Sequence, residues 1–213
     1  MKLLLPKRVY GEVLGINITP KQGERIYFLA GPIRGADDWQ KEAVKLLAEK
    51  DPHCYVACPR RYDESHELYH LSESVQGSIL HFSRQTLWER YYLDRAARSG
   101  CIIFWLPCES ATNPRKKEDG PYARDTYGEL ARWSMCKACT VTPDHYKFFD
   151  KERPEHVNIA IGAEGNFPGL DVIYENFTKD NCGFQFCGSL DAAVNEGVRL
   201  GKEVNRQPFS FND

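Results

Sequence analysis

The chain has 213 residues, of which 42% are hydrophobic and 27% charged, the balance of one globular domain rather than of a disordered, collagen-like or coiled-coil chain. Lysine plus arginine number 28 against 30 acidic residues, a net charge of −2, so a broadly basic nucleic-acid surface is not expected and no nucleic-acid partner is predicted. No apolar run approaches the roughly 18 residues that span a bilayer. Leu3 to Leu5, cut off by Pro6, Lys7 and Arg8, is too short for a signal peptide, which predicts a cytoplasmic protein with no membrane partner.

Eight cysteines are present. Cys136-Lys-Ala-Cys139 is the only Cys-x-x-Cys, and Cys54 with Cys58 and Cys182 with Cys187 are further close pairs. Reduced structural thiols are the expected state, with Cys58 and Cys101 read as small buried hydrophobes.

In chain order, residues 1–24 read as an N-terminal extension. Within it, Arg8 to Leu14 alternates weakly in the manner of an edge strand, and Thr19 to Gly23 is turn chemistry. Arg25-Ile-Tyr-Phe-Leu-Ala-Gly31 is a β-branched and aromatic run ending in Gly-Pro, a buried strand. Asp37-Asp38 then caps a helix that places Trp39, Ala43, Leu46 and Leu47 at helical spacing. Cys54 to Cys58 is a second short strand. Residues 59–83 are polar and predict a long loop.

From Ser83 a helix carries Leu87, Trp88, Tyr91, Tyr92 and Ala96 and stops at Ser99-Gly100. Cys101-Ile-Ile-Phe-Trp-Leu-Pro107 is a strand buried on both faces. Residues 108–123 are a second loop, and Thr126 opens a helix to about Lys137. After a polar connection at 140–156, His156 to Gly162 is a fourth strand and a glycine-containing loop runs to Gly169. A short segment at Asp171 to Phe177 precedes a fifth strand, Phe184 to Cys187. The last helix is capped by Ser189.

This alternation predicts an α/β fold, a flavodoxin-like doubly wound sheet of about five parallel strands with helices on both faces. Ligands of such sheets lie beyond the carboxyl ends of the strands, near the topological switch. The loops at 31–38, 58–66, 107–128 and 162–169 are therefore the candidate site.

Neither a GxGxxG nor a P-loop fingerprint is present in Ala30-Gly31-Pro32-Ile33-Arg34-Gly35, but Gly31 lets a ligand approach the backbone. Arg34, Arg60 and Arg61 are candidates for phosphate. Thr126-Tyr-Gly-Glu129 supports two readings. One is a capping box, Glu129 reaching back to Thr126. The other is a catalytic carboxylate at Glu129, with Asp125 nearby, since paired carboxylates divide nucleophilic and proton-transfer work in glycosidic chemistry. Glu89, beside Trp88, is either a helix-face residue or a second site carboxylate.

Taken in order, Tyr27-Phe-Leu-Ala-Gly31-Pro32, Trp88-Glu89, Phe104-Trp-Leu-Pro107, Thr126-Tyr-Gly-Glu129-Leu-Ala and Ala163-Glu-Gly-Asn-Phe-Pro-Gly169 resemble the nucleoside 2-deoxyribosyltransferase-like family, over residues 25–206. The resemblance implies cleavage or transfer of the N-glycosidic bond of a nucleoside or nucleotide through a covalent glycosyl-glutamate intermediate, without metal or organic cofactor. It matches Glu129 to the nucleophile and Tyr27 to the tyrosine that hydrogen-bonds it. Thr126 matches the threonine of the family's turn. Gly31, Pro32, Trp88, Thr126 and Asn166 are implied in substrate binding. The family's aspartate six residues before the nucleophile is Ala123 here, so the proton donor falls to Glu89 or Asp125. A catalytically silent nucleotide-binding module of the same fold is the alternative. The family's oligomers, together with Phe209 and Phe211 in the C-terminal tail 207–213, predict a homo-oligomer.

Overall fold

The computed structural model describes residues 1–18, 24–73, 75–138, 157–178 and 186–204. Nine strands and six α-helices form among them. Six strands make one parallel sheet: β1 (Lys2–Leu4), β4 (Ile26–Ala30), β5 (Tyr55–Ala57), β7 (Gly100–Leu106), β8 (Ile159–Ala163) and β9 (Phe186–Cys187), in the spatial order β1-β5-β4-β7-β8-β9. The last five in that order give the flavodoxin-like arrangement, with β1 added at one edge and the switch point between β4 and β7.

Every residue of β4, β5, β7 and β8 is buried. Such strands read as continuous apolar runs because both faces of the sheet are covered. Alternate residues then serve opposite layers. Ile26, Phe28 and Ala30 pack toward α3 (Gln85–Ser99), α4 (Arg124–Ala138) and α5 (Leu170–Thr178). Tyr27 and Leu29 pack toward α1 (Trp39–Lys50), α2 (Glu67–Glu73) and α6 (Leu190–Val204).

Two helix starts follow the predicted chemistry. Asp38 accepts a hydrogen bond from the Lys41 amide at 3.3 Å, and the Ser189 hydroxyl accepts from the Ala192 amide at 3.2 Å. The turn from α3 into β7 requires Gly100, because a Cβ there would meet the Ile26 carbonyl oxygen at 1.9 Å.

The N-terminal segment is more integrated than an extension. β1 hydrogen-bonds in parallel to β5, and β2 (Lys7–Val9) and β3 (Glu12–Asn17) form a hairpin. Its two loop residues, Tyr10 and Gly11, have φ of 49° and 87°, the left-handed pair that matches hairpin twist. β3 pairs in turn with β6 (Ser78–Phe82), making a small antiparallel sheet. The loop predicted over 59–83 thus contains α2 and β6. β6 escapes a period-two reading because three of its five residues are exposed and the other two only half-buried. The sequence also placed the fourth strand from His156 and the fifth from Phe184. The described strands begin at Ile159 and Phe186, and residues 156 and 184 lie outside the described set.

Cys54, Cys58, Cys101 and Cys187 are buried thiols, and Cys108 is a half-buried one. Cys139, Cys182 and the tail with Phe209 and Phe211 lie outside the described residues, as does the side chain of Cys136. No helix among the described residues is long and apolar enough to cross a membrane.

Candidate functional site

A cleft of about 970 Å³ opens at the C-terminal end of β4, beside the switch point. That volume lies within the range of small-molecule sites. Its walls come from the loops after β4 and β5, from α3 as far as Leu93 and from α4 as far as Trp133, with Arg115 and Ala123 contributed by the segment after β7.

The floor is Ala30-Gly31-Pro32. Gly31 has φ of 145°, and a Cβ there would lie 2.1 Å from the Trp105 carbonyl oxygen, so the backbone can pass only without a side chain. The loops are tied together by side chains at the start of α1. Trp39 Nε1 donates to the Pro32 carbonyl at 2.8 Å. Arg60 donates to Gln40 Oε1 at 3.2 Å, and Tyr62 donates to Asp38 at 2.8 Å. The Ser110 amide donates to the Gly35 carbonyl and its hydroxyl to Asp37, both at 2.7 Å. Three loops are thereby fixed to one helix end, a rigid base for a binding site.

The two glutamates come from different helices. On α3, Gln85 Nε2 donates to Glu89 Oε1 at 2.8 Å and to the Pro59 carbonyl at 2.9 Å. One amide therefore orients Glu89 and anchors the helix start to the loop after β5. On α4, Asp125, Glu129 and Trp133 recur every four residues and present one face to the cleft. Glu129 is half-buried with no hydrogen-bond partner among the described residues, whereas Asp125 is exposed and pairs with Arg124 at 3.6 Å.

Burial, then repulsion from Glu89 and Asp125, pushes the Glu129 carboxyl up to about 8. Burial also raises Glu89, with Asp125 adding to the rise, while the Gln85 hydrogen bond and the Arg61 charge oppose it. Two carboxylates that repel in a shared cleft retain one proton between them over a wide pH range. Eight arginines line the same cleft.

Of the residues singled out in the sequence, Glu129, Asp125, Glu89, Gly31, Pro32 and Thr126 line the cleft together. Three do not. Tyr27 is fully buried on the opposite face of the sheet, where its hydroxyl donates to Asp51 Oδ2 at 2.8 Å. Period two sends Phe28 and Ala30, not Tyr27, toward α3 and α4, so Tyr27 does not orient Glu129. Trp88 is fully buried between Phe28 and Tyr92 and lies outside the cleft lining. Asn166 is exposed in the turn after β8 and also lies outside the lining.

Thr126 is not a cap. α4 begins two residues earlier, at Arg124, after Ala123 turns the chain at φ of 58°. The capping-box reading of Thr126 and Glu129 therefore fails, and Glu129 projects from the second turn of the helix. Gln85, Arg84, Arg90, Arg132 and Trp133 also line the cleft and were not identified from the sequence. Their signal was available in the spacing: Gln85 stands four residues before Glu89, and Arg132 and Trp133 stand three and four after Glu129.

Among the described residues no group of three or more His, Cys, Asp or Glu side chains is placed to hold a metal ion. Comparison of this chain with protein-family models, with curated proteins and with solved structures finds no match.

Proposed function

We propose that the protein cleaves or transfers the N-glycosidic bond of a nucleoside or nucleotide, using Glu129 and Glu89 as a carboxylate pair. One observation carries the reading. Two glutamates from different helices share one cleft at the switch point, and their repulsion contributes to raising Glu129 to about 8. Paired carboxylates with unequal proton affinities supply the acid and the nucleophile of a retaining displacement. The motif order that resembles the nucleoside 2-deoxyribosyltransferase-like family supports the same chemistry.

Burial and repulsion favour the proton on Glu129 in the free protein, so the reactive form is the tautomer of the singly protonated pair in which the proton has moved to Glu89 and Glu129 is ionised. Glu129 as carboxylate attacks the anomeric carbon. The carbon–nitrogen bond breaks, and the departing base takes the proton from Glu89. Glu129 is then bound to the sugar as an ester. Water or a second base attacks the same carbon and gives its proton to Glu89, and Glu129 leaves as carboxylate. Both steps invert the carbon, so the configuration is retained. Asp125, exposed at the mouth, tunes the pair by its charge. Tyr27 has no part in the step.

The test is incubation with each deoxyribonucleoside and nucleotide, with and without a free base, read by chromatography. Release of free base by the natural protein and none by Glu129→Gln is the expected result. A 2-fluoro-2-deoxy sugar should trap the ester on the peptide containing Glu129. An adduct on Glu89 would exchange the two roles and keep the reaction. The absence of a hydrogen-bond donor to Glu129 among the described residues favours one second reading, a nucleotide-binding module without turnover. Binding without base release from any substrate would select it.

A further inference from the structure

The cleft is lined by eight of the chain's 15 arginines and by none of its 13 lysines. A surface charged only for solubility would mix the two residue types. Arginine alone provides the planar fork that matches phosphate oxygens in pairs. Several of these arginines already have partners. Arg34 reaches Asp119 at 3.5 Å, Arg60 reaches Asp38 at 3.6 Å, and Arg115 Nε donates to the Asp119 carbonyl at 3.1 Å.

Four others, Arg61, Arg84, Arg90 and Arg132, make no ion pair among the described residues. Arg61 is a cation at a disadvantage: burial first, then the Arg8 charge, with Arg34 adding, lowers its proton affinity against the attraction of Glu89. A bound anion would relieve that repulsion. Arg84, Gln85 and Thr86, at the start of α3, all line the cleft, so the N-terminal end of that helix, where negative charge is favoured, forms part of its wall. The singly protonated Glu89–Glu129 pair offsets one of these four cations, and one terminal phosphate carries about −1.5 to −2, which falls short of the other three.

We propose that the ligand of this cleft carries a diphosphate or longer phosphate chain, as a nucleoside diphosphate or a dinucleotide does, held by Arg61, Arg84, Arg90 and Arg132. This rests on the reading of the cleft as a nucleotide site and specifies its substrate class.

The experiment is calorimetric titration of the full chain with matched nucleoside, monophosphate, diphosphate and triphosphate for each base. Inorganic pyrophosphate and a short single-stranded oligonucleotide are run alongside, and base release is measured on the same samples. Affinity should rise at least about tenfold from monophosphate to diphosphate. Arg61→Gln and Arg132→Gln should each weaken the diphosphate by about three- to tenfold and leave nucleoside affinity within about twofold. Circular dichroism confirms that each variant is folded. In the unaltered chain, steeper salt dependence for diphosphate than for nucleoside gives a readout independent of any variant.

Equal affinity across the phosphate series would overturn the inference while leaving base release intact. Tighter binding of the oligonucleotide than of any nucleotide would also overturn it, making the cleft a polynucleotide groove. Diphosphate selectivity without base release would uphold the inference and remove the glycosidic reading instead.

Discussion

Replacing Glu129 by Gln keeps the size of the side chain and removes its titration. The carboxyl rises from the usual 4.5 to about 8 in the folded protein. Below pH 4.5 both folded and unfolded chains hold the proton, and the two proteins should be equally stable. Between 4.5 and 8 the unfolded chain releases the proton while the folded chain keeps it, so the natural protein loses stability as pH rises. Above 8 both states are ionised and the loss is complete. Every tenfold difference in proton affinity between the two states corresponds to at most about 1.4 kcal/mol. Glu129 is half-buried and opens on a cleft, so water screens much of this charge, which brings the expected loss to about 1–3 kcal/mol.

For a chain of this length about 1 kcal/mol moves the melting temperature by roughly 2–4 °C. Glu129→Gln should therefore melt several degrees above the natural protein at pH 8.5 and level with it at pH 4.5, while base release falls by at least about two orders of magnitude. Differential scanning calorimetry across that range is the assay. A pH-independent difference would show that Glu129 has the same proton affinity folded and unfolded, and a variant less stable at pH 8.5 would show Glu129 ionised and paired in the native state; either result refutes the shared-proton account.

Tyr27→Phe removes one hydrogen bond to buried Asp51, which Arg25 also holds at 2.5 and 2.7 Å. It should cost about 1.5–3 kcal/mol in urea unfolding and leave base release unchanged, whereas a specific catalytic loss with normal stability would restore Tyr27 to the site. Gly31→Ala forces a Cβ toward the Trp105 carbonyl, 2.1 Å away, at φ of 145°. It should lower stability by at least about 1–3 kcal/mol and weaken ligand binding, both measured on one sample by unfolding and titration. The kcat/KM for base release should fall as pH rises past about 8, where the carboxylate pair loses its last proton. A profile that climbs through that pH would refute the singly protonated active form.

The fold was legible wherever one periodicity dominated. The runs at 26–30 and 100–106 are apolar throughout because both faces of the sheet are covered, and they were placed within one residue of their observed ends. The small antiparallel sheet was not legible as a unit. β6 exposes Ser78, Ile79 and His81, and β1 is three residues long, so neither shows a pattern without its partner strand. The same distinction holds within the site. Glu89 and Glu129 could be singled out as carboxylates, but their mutual approach depends on how α3 and α4 pack on one sheet face, which no local window contains. The arginine lining was glimpsed only at Arg34, Arg60 and Arg61, since exposed arginines elsewhere look the same in sequence.

Tyr27 shows the sharpest limit. Side chains on a strand alternate between faces, so a motif match fixes a residue's position along β4 but not the layer it serves. Here Phe28 and Ala30 face α3 and α4, and neither offers a hydrogen bond to Glu129. Tyr27 instead belongs to a buried Arg25–Asp51 pair, where burial alone would raise Asp51 and the hydrogen bonds from Arg25 and Tyr27 outweigh it, holding the carboxylate below its usual range. The sheet therefore has two separate polar centres, one on each face. On one face the charges are paired and hydrogen-bonded, which stabilises the fold. On the other, two glutamates repel and four arginines stand without ion pairs among the described residues, leaving charge for a ligand to satisfy. Unsatisfied charge in a rigidly framed cleft costs stability, and it persists where binding or chemistry uses it.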